Sequence, residues 1–369
     1  MLRYQLSAGA QRIMTIAKRF VRDRLRVVAL GLILSPGGLW AEEASEPLFP
    51  ETMSNASMTD ALAMLREELP PLDCGRTGDH SSAAAAYFEF YGLGATQHDH
   101  FFGTFRSGQH LIAAHLYRPK AAHATVLVMH GFLDHTGTLG STIQHLLAQN
   151  FGVAAYDQPG HGLSSGPRAD IGDFADYAGV FEDFLRLCRT HMPPPYHVLA
   201  HSTGGAIVVN HLLSRSDNDL EHVVLIAPLV RSAYWQLATV VSPVLETFVD
   251  DVPRIYRDNS SDEEFLEFIR RDPLQSQRTS LNWFNALVKW NERIKHYPSS
   301  ERPIVIIQGD ADSVIGWKYN LKFLDTKFPN ARVEIIEGAR HQLLNEAPAL
   351  RTQVLEIVDT ALNSQFNPP

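Results

Sequence analysis

A short apolar run, His197 to Ala200, leads directly into His201-Ser202-Thr203-Gly204-Gly205 and then into a helical stretch. A serine on a sharp strand-to-helix turn lifts its hydroxyl above the end of a sheet, and small neighbours tolerate the strained backbone there. Alanine (Ala200) stands where the first glycine of G-x-S-x-G would be, and is small enough for the turn. Serine is a weak nucleophile until a base takes its proton. Two later segments can supply the base and its orienting acid: Gly309-Asp310-Ala311-Asp312 and Gly338-Ala339-Arg340-His341, each following an apolar run. Serine, acid, histidine is the chain order of triads built at the carboxyl ends of successive strands. In such a triad histidine relays the proton and a buried carboxylate holds its tautomer. Asp312 is preferred as the acid because it lies further into the turn, with Asp310 as the alternate.

Upstream, Met129-His130-Gly131-Phe132 ends another apolar run, and a turn there aims the Phe132 N–H at the space faced by the Thr203 N–H. Two such donors stabilise the charge that develops on an attacked carbonyl, each by roughly 3–4 kcal/mol. His130, Gly131 and His201 flank these positions and are expected to line the substrate pocket, with Trp235 and Trp283 from further along the chain. Asp157 and His161 sit in a Gly-His-Gly loop and read as structural. His98-x-His100 is too sparse for a metal, since zinc takes three or four ligands.

Placing these groups together requires a sheet. Two β-rich runs, Asp99 to Arg106 and His110 to Tyr117, read as an antiparallel hairpin. Six buried-strand runs follow: Ala124 to Met129, Gly152 to Tyr156, His197 to Ala200, Val223 to Ala227, Ile304 to Gln308 and Val333 to Ile336. Helical stretches separate most of them, at Thr138 to Gln149, Ile171 to Thr190, Gly204 to Ser214 and Trp317 to Phe328, with a last one at Asn345 to Ser364. Continuous apolar strands alternating with helices specify an α/β fold, here an eight-stranded, mainly parallel sheet with helices on both faces. The rhythm breaks from Leu229 to Arg302, which shows no strand signal. There a capping box, Ser261-x-x-Glu264, precedes a helical pattern, and Trp235, Trp283 and Trp290 fall in the same stretch. This insertion, 229–302, is expected to be a helical cap over an apolar pocket. The core is then 98–228 with 303–369, preceded by a leader, 42–97, holding two short helical candidates, Thr59 to Leu69 and Ser81 to Tyr91.

With 45% hydrophobic and 20% charged residues, the 369-residue chain has an ordinary globular composition, which excludes collagen-like and broadly disordered readings. Its net charge of −9 is unevenly spread. Residues 1–26 carry seven Lys or Arg and one Asp, which leaves a net of −15 for the remainder. So acidic a body repels phosphate backbones, which argues against nucleic-acid binding. The basic start, the apolar run Val27 to Ala41 and the acidic residues after it describe an export signal peptide or anchor over 1–41, with Met14 an alternative start. An exported or membrane-associated protein is expected. Cys188 shares helical spacing with Tyr177, Phe181 and Leu185 and reads as a core thiol, and pairing with Cys74 is left open.

The run Tyr156-Asp157-Gln158-Pro159-Gly160-His161-Gly162-Leu163-Ser164-Ser165-Gly166 occurs with His130-Gly131, His201-Ser202-x-Gly204-Gly205, Ala227-Pro228-Leu229, Asp272-Pro273-Leu274, Gly309-x-x-Asp312 and Gly338-x-x-His341. In this order, over about residues 98 to 360, they resemble the monoacylglycerol lipase and lysophospholipase-like α/β-hydrolases of serine aminopeptidase S33 type. The resemblance implies an α/β-hydrolase fold, Asp312 as the acid, Phe132 and Thr203 as oxyanion donors, and hydrolysis of carboxylic esters without cofactor or metal. It implies a small ester or lipid as substrate, with transient membrane contact for lipid access. S33-type aminopeptidases and thioesterases share such motifs and stand as alternatives, as does a ligand-binding member without turnover.

Overall fold

The structure, a computed structural model, describes residues 55–75, 80–94, 98–215 and 219–363. The address expected at 1–41 and the first part of the leader lie outside them. Two helices open the described chain, α1 (Asn55–Glu68) and α2 (Ser82–Tyr91). Ser81 Oγ accepts the Ala84 N–H to start α2, and Gly92, at φ 64°, ends it.

The sheet begins with β1 (Asp99–Ser107) and β2 (His110–Arg118), an antiparallel pair with Ser107 opposite His110. Then come β3 (Thr125–Met129), α3 (Gly140–Ala148), β4 (Gly152–Tyr156), α4 (Phe174–His191), β5 (Tyr196–His201), α5 (Thr203–Ser214) and β6 (Leu220–Ile226). All residues of β3, β4 and β5 are buried, which is why they read as unbroken apolar runs rather than alternating ones. Each Val or Leu so buried contributes about 1.5–3 kcal/mol relative to exposure. Along α4, Tyr177, Phe181, Phe184 and Cys188 form the buried stripe, and Asp173 caps its start through the Ala175 N–H. Cys74 and Cys188 are both free thiols.

The stretch 229–302 holds α6 (Trp235–Glu246), β7 (Asp251–Pro253), α7 (Glu263–Arg271), β8 (Arg278–Ser280) and α8 (Leu281–Ile294). Two expectations for it are corrected. It contains strands, since β7 and β8 form an antiparallel ribbon with Val252 opposite Thr279. Three-residue strands are too short to leave a period in the sequence. The helix cap also falls one residue later: Asp262 accepts the Phe265 N–H at 3.0 Å, whereas Ser261 Oγ turns to Glu346. A fully buried carboxylate outcompetes a helix N–H for that hydroxyl, because a bond to a charged acceptor is the stronger one.

The chain closes with β9 (Val305–Gly309), α9 (Trp317–Lys327), β10 (Arg332–Ile336) and α10 (Pro348–Asn363). The sheet runs β1-β2-β4-β3-β5-β6-β9-β10, with β2 antiparallel to both its neighbours and every later pairing parallel. This is the α/β-hydrolase arrangement. β3, β5 and β9 end at the same edge, so the loops that follow them meet there.

Candidate active site

Ser202 sits between β5 and α5 at φ 50° and ψ −110°, a strained conformation for a residue with a Cβ. Its backbone is clamped on both sides: its N–H donates to Ile226 O at 2.9 Å, and its carbonyl accepts the Leu229 N–H at 3.1 Å and the Ala206 N–H at 3.0 Å. Gly131, in the loop after β3, comes so close that a Cβ there would lie 2.9 Å from His201 Nδ1 and 3.1 Å from Ser202 Cβ. Only glycine permits that approach.

Ser202 Oγ lies 3.0 Å from His341 Nε2, and His341 Nδ1 lies 2.7 Å from Asp312 Oδ2. The other Asp312 oxygen accepts the N–H groups of Val314 at 2.8 Å and Ile315 at 3.2 Å. Burial opposes the charge on Asp312, but His341 and these amides hold its carboxyl below the ordinary range. An ionised carboxylate only accepts, so Nδ1 of His341 donates to it and Nε2 is left to accept the serine proton. Asp310 is exposed and accepts the Gly338 N–H at 2.7 Å instead. Of the two aspartates, Asp312 is the one that reaches His341.

The Phe132 and Thr203 backbones flank Ser202, and no hydrogen bond among the described residues engages either amide N–H. With Ser202 and His341 they open into a cavity of about 440 Å³, whose wall includes Trp283 and Phe284. Its remaining lining is chiefly aliphatic, including Leu229, Val252, Leu266, Ile269 and Ile315.

Trp283 is therefore in the wall as expected, but His130, Gly131, His201 and Trp235 are not. Each has a different task. His130 Nε2 accepts the Gln158 N–H at 2.9 Å, so its Nδ1 donates to Gly131 O at 2.7 Å, and both ring nitrogens are committed to the loop. Gly131 supplies the close approach described above. His201 Nε2 donates to His341 O at 3.0 Å and so fixes the histidine's backbone. Trp235 packs on Phe284, ring centroids 5.6 Å apart, behind the wall. Asp157 is fully buried and accepts the N–H groups of Thr136 at 2.7 Å and Leu163 at 2.8 Å, a structural role. His161 Nδ1 donates to Pro159 O at 2.9 Å within the same turn.

Three supports were not foreseen. Asp272, fully buried, accepts from His135 Nε2 at 2.7 Å, from Tyr91 Oη at 2.6 Å and from the Leu274 N–H at 2.9 Å. It thereby joins the leader helix α2, the loop after β3 and the insertion. Burial opposes charge on both partners, yet each holds the other ionised: the carboxyl is lowered and the imidazole raised. Gln342, next to His341, donates to Asp134 Oδ2 at 3.0 Å. Glu346 accepts the N–H groups of both Arg340 and Ser261. The Asp272-Pro273-Leu274 motif was the available signal for the first, while the other two depend on partners scattered over the chain.

The sequence pattern of the family described as serine aminopeptidase, S33, matches residues 120–348. The chain belongs to this family. By family it is a hydrolase. It is 26% identical over 263 residues to the monoglyceride lipase of Rattus norvegicus, covering 69% of this chain and 86% of that protein. It is 22% identical over 279 residues to a protein of Haemophilus influenzae described as probable lysophospholipase L2, covering 68% and 88%. Among solved structures, a soluble variant of the Saccharomyces cerevisiae monoglyceride lipase with a substrate analogue superposes with a TM-score of 0.61 at 19% identity, over 70% of this chain and 94% of that one. The monoacylglycerol lipase of Paleococcus ferrophilus gives 0.57 at 21% identity, over 67% and 98%.

Proposed function

We propose that this hydrolase cleaves carboxylic esters of the monoacylglycerol or lysophospholipid class through an acyl-enzyme, with Ser202, His341 and Asp312 as its triad. The observation that carries the reading is the continuous relay from Asp312 through His341 to Ser202 Oγ, opening into an apolar cavity. Ser202 Oγ attacks the ester carbonyl carbon while its proton passes to His341 Nε2. The oxyanion forms between the Phe132 and Thr203 N–H groups. His341 then protonates the leaving alcohol and the C–O bond breaks, leaving the acyl group on Ser202. Water then attacks the acyl carbon while its proton passes to His341, and His341 returns that proton to Ser202 Oγ as the acyl–Oγ bond breaks and the carboxylic acid leaves, with Asp312 supporting the imidazolium throughout.

The insertion 229–302 acts as the lid in this reading. Leu237 and Val240, three residues apart on α6, and Ile255 after β7 are 65%, 71% and 70% exposed, apolar side chains suited to brief contact with a lipid surface from which substrate is drawn. Export through the N-terminal 41 residues would place the enzyme beside such a surface. An aminopeptidase would need a free carboxylate to grip the substrate amine. None of the insertion's carboxylates, Glu246, Asp250, Asp251, Glu263 and Glu264 among them, is in the cavity wall, and the carboxylate that is, Asp134, is already engaged by Gln342, which favours the esterase.

The test is a panel of p-nitrophenyl acyl esters with Ser202→Ala as control, joined to intact-mass measurement after fluorophosphonate treatment. One adduct on the wild-type chain, none on the variant, and hydrolysis abolished by the substitution are expected. Activity unchanged in Ser202→Ala rejects the assignment.

A further inference from the structure

The cavity that receives Ser202 is charged in an unexpected sense. Outside its first 26 residues the chain carries a net charge of −15, yet three arginines line this cavity, Arg254, Arg257 and Arg270, against one carboxylate, Asp134. Arg270 is answered locally by Glu267 at 3.6 Å and Asp258 at 3.8 Å. Asp134 is engaged by Gln342 and faces His201 Nδ1 at 3.7 Å.

Arg254 differs. It follows β7 directly, and its backbone N–H donates to Gln277 O at 2.9 Å, so the ribbon fixes where it starts. Nη1 is anchored on Gln275 Oε1 and on Ser276 O, and the guanidinium lies 4.6 Å from the centre of the Tyr256 ring. Nε and Nη2 make no hydrogen bond among the described residues, and none of those residues offers Arg254 a carboxylate within 4.0 Å. Arg257, which is exposed, has Nη1 on Ser313 O at 2.7 Å and no ion pair among the described residues. A guanidinium keeps its charge at every physiological pH. Holding one half-buried without a counter-ion is unfavourable, and folded chains normally pair such charges. Asp134 and Asp272 act on Arg254 only from beyond ion-pair distance, and Arg254 lines the reaction cavity with two of its nitrogens unbonded among the described residues.

We propose that Arg254, assisted by Arg257, receives an anionic group of the substrate, so that the preferred esters carry a phosphate beside the acylglycerol. The inference rests on the ester-hydrolase reading above and narrows it. A planar fork held at one nitrogen presents its remaining N–H groups to two oxygens of a phosphate, a bidentate geometry an ammonium cannot reproduce. The aliphatic lining takes the acyl chain. A cavity of about 440 Å³ is within the range that holds one small ligand, so one molecule can touch both Ser202 and Arg254. A second cation three residues on favours the phosphate over a single carboxylate, which two guanidiniums would overcompensate.

The experiment compares kcat/KM for 1-acylglycerol 3-phosphate, the corresponding 1-acylglycerol and a monoacyl ester of a dicarboxylic acid, all with one chain length. Wild-type protein, Arg254→Gln and Arg254→Lys are assayed, with p-nitrophenyl butyrate as a substrate lacking any anion. The phosphate ester is expected to be preferred at least tenfold. In Arg254→Gln the phosphate-to-neutral ratio falls to near one, chiefly through KM, and Arg254→Lys recovers part of it. Glycerol 3-phosphate should inhibit p-nitrophenyl butyrate hydrolysis by the wild-type protein competitively where glycerol does not, a readout that needs no variant. Equal use of the phosphate and neutral esters, preference for the carboxylate ester, or absence of inhibition by glycerol 3-phosphate overturns the proposal and leaves the hydrolase standing. Failure of every ester, p-nitrophenyl butyrate included, overturns both.

Discussion

The ring of Phe132 lies flat on that of Trp283, centroids 3.6 Å apart and planes 15° from parallel. Phe132 belongs to the loop after β3, and Trp283 to the first turn of α8. Trp283 is itself held by Nε1 donating to Tyr177 Oη at 3.2 Å. The insertion thus packs directly on the residue proposed as an oxyanion donor.

Removing the stack should therefore change chemistry more than binding. Trp283→Ala is expected to lower kcat about tenfold or more even on p-nitrophenyl acetate, whose acyl group is too short to need the cavity wall, because displacements on the order of 1 Å at a reacting centre are that costly. Steady-state kinetics decides it: a change confined to KM would mean that Trp283 only binds substrate.

The two candidate acids separate by substitution. Asp312→Asn should reduce kcat by about 10⁴-fold, since the amide favours the wrong imidazole tautomer. Asp310→Asn disturbs only the acceptor of the Gly338 N–H and should lose about 1 kcal/mol of stability. Parallel kcat measurements and urea titrations of the two variants check both values.

The buried pair of His135 and Asp272 should be intolerant of losing one partner. Asp272→Asn is expected to destabilise the fold by about 3–5 kcal/mol. Denaturant unfolding monitored by tryptophan fluorescence gives the number, and a loss below about 1 kcal/mol would refute the ionised pair.

Acid should weaken the fold well before its carboxylates titrate. Burial pushes the pKa of His115 and His161 down to about 3 and that of His201 to about 4, the last also through His341. These groups are neutral when folded but take up protons near pH 6.5 when unfolded, so their stabilising contribution is full above that value and declines as pH falls toward 3–4. Each group can remove up to about 1.4 kcal/mol per pH unit within that window. Melting temperatures at pH 7 and pH 5 should differ markedly, and His115→Gln should flatten the dependence.

How much of this was legible follows from how each group is placed. Gly152 to Tyr156 could be read as a strand to the residue, because a strand buried on both faces leaves an unbroken apolar run. Ser202 and Asp312 were legible because each follows such a run, whereas the strand before His341, read as buried, is a mostly exposed edge strand carrying Glu334. His130 and His201 instead have ring nitrogens bonded to Gln158, Gly131 and His341, partners that only the fold brings near. Arg254 carried no signal at all, since a three-residue ribbon with no period of its own places it. Trp235 and Trp283 are equivalent in composition, and only the packing of α6 and α8 puts one behind the wall and the other in it.

Glu346 binds the amide beside His341 and the residue before the cap of α7 with a single carboxylate. For anyone exchanging parts among relatives, residues 229–302 are accordingly not an interchangeable cassette. A chimaera that imports a foreign insertion forfeits the acceptor's second partner, the Asp272 contacts to Tyr91 and His135, and the surface on which Phe132 rests. Specificity can be transplanted only with the receiving residues at 91, 132, 135 and 346 carried along, so the graft must be drawn across the whole seam rather than at its two ends.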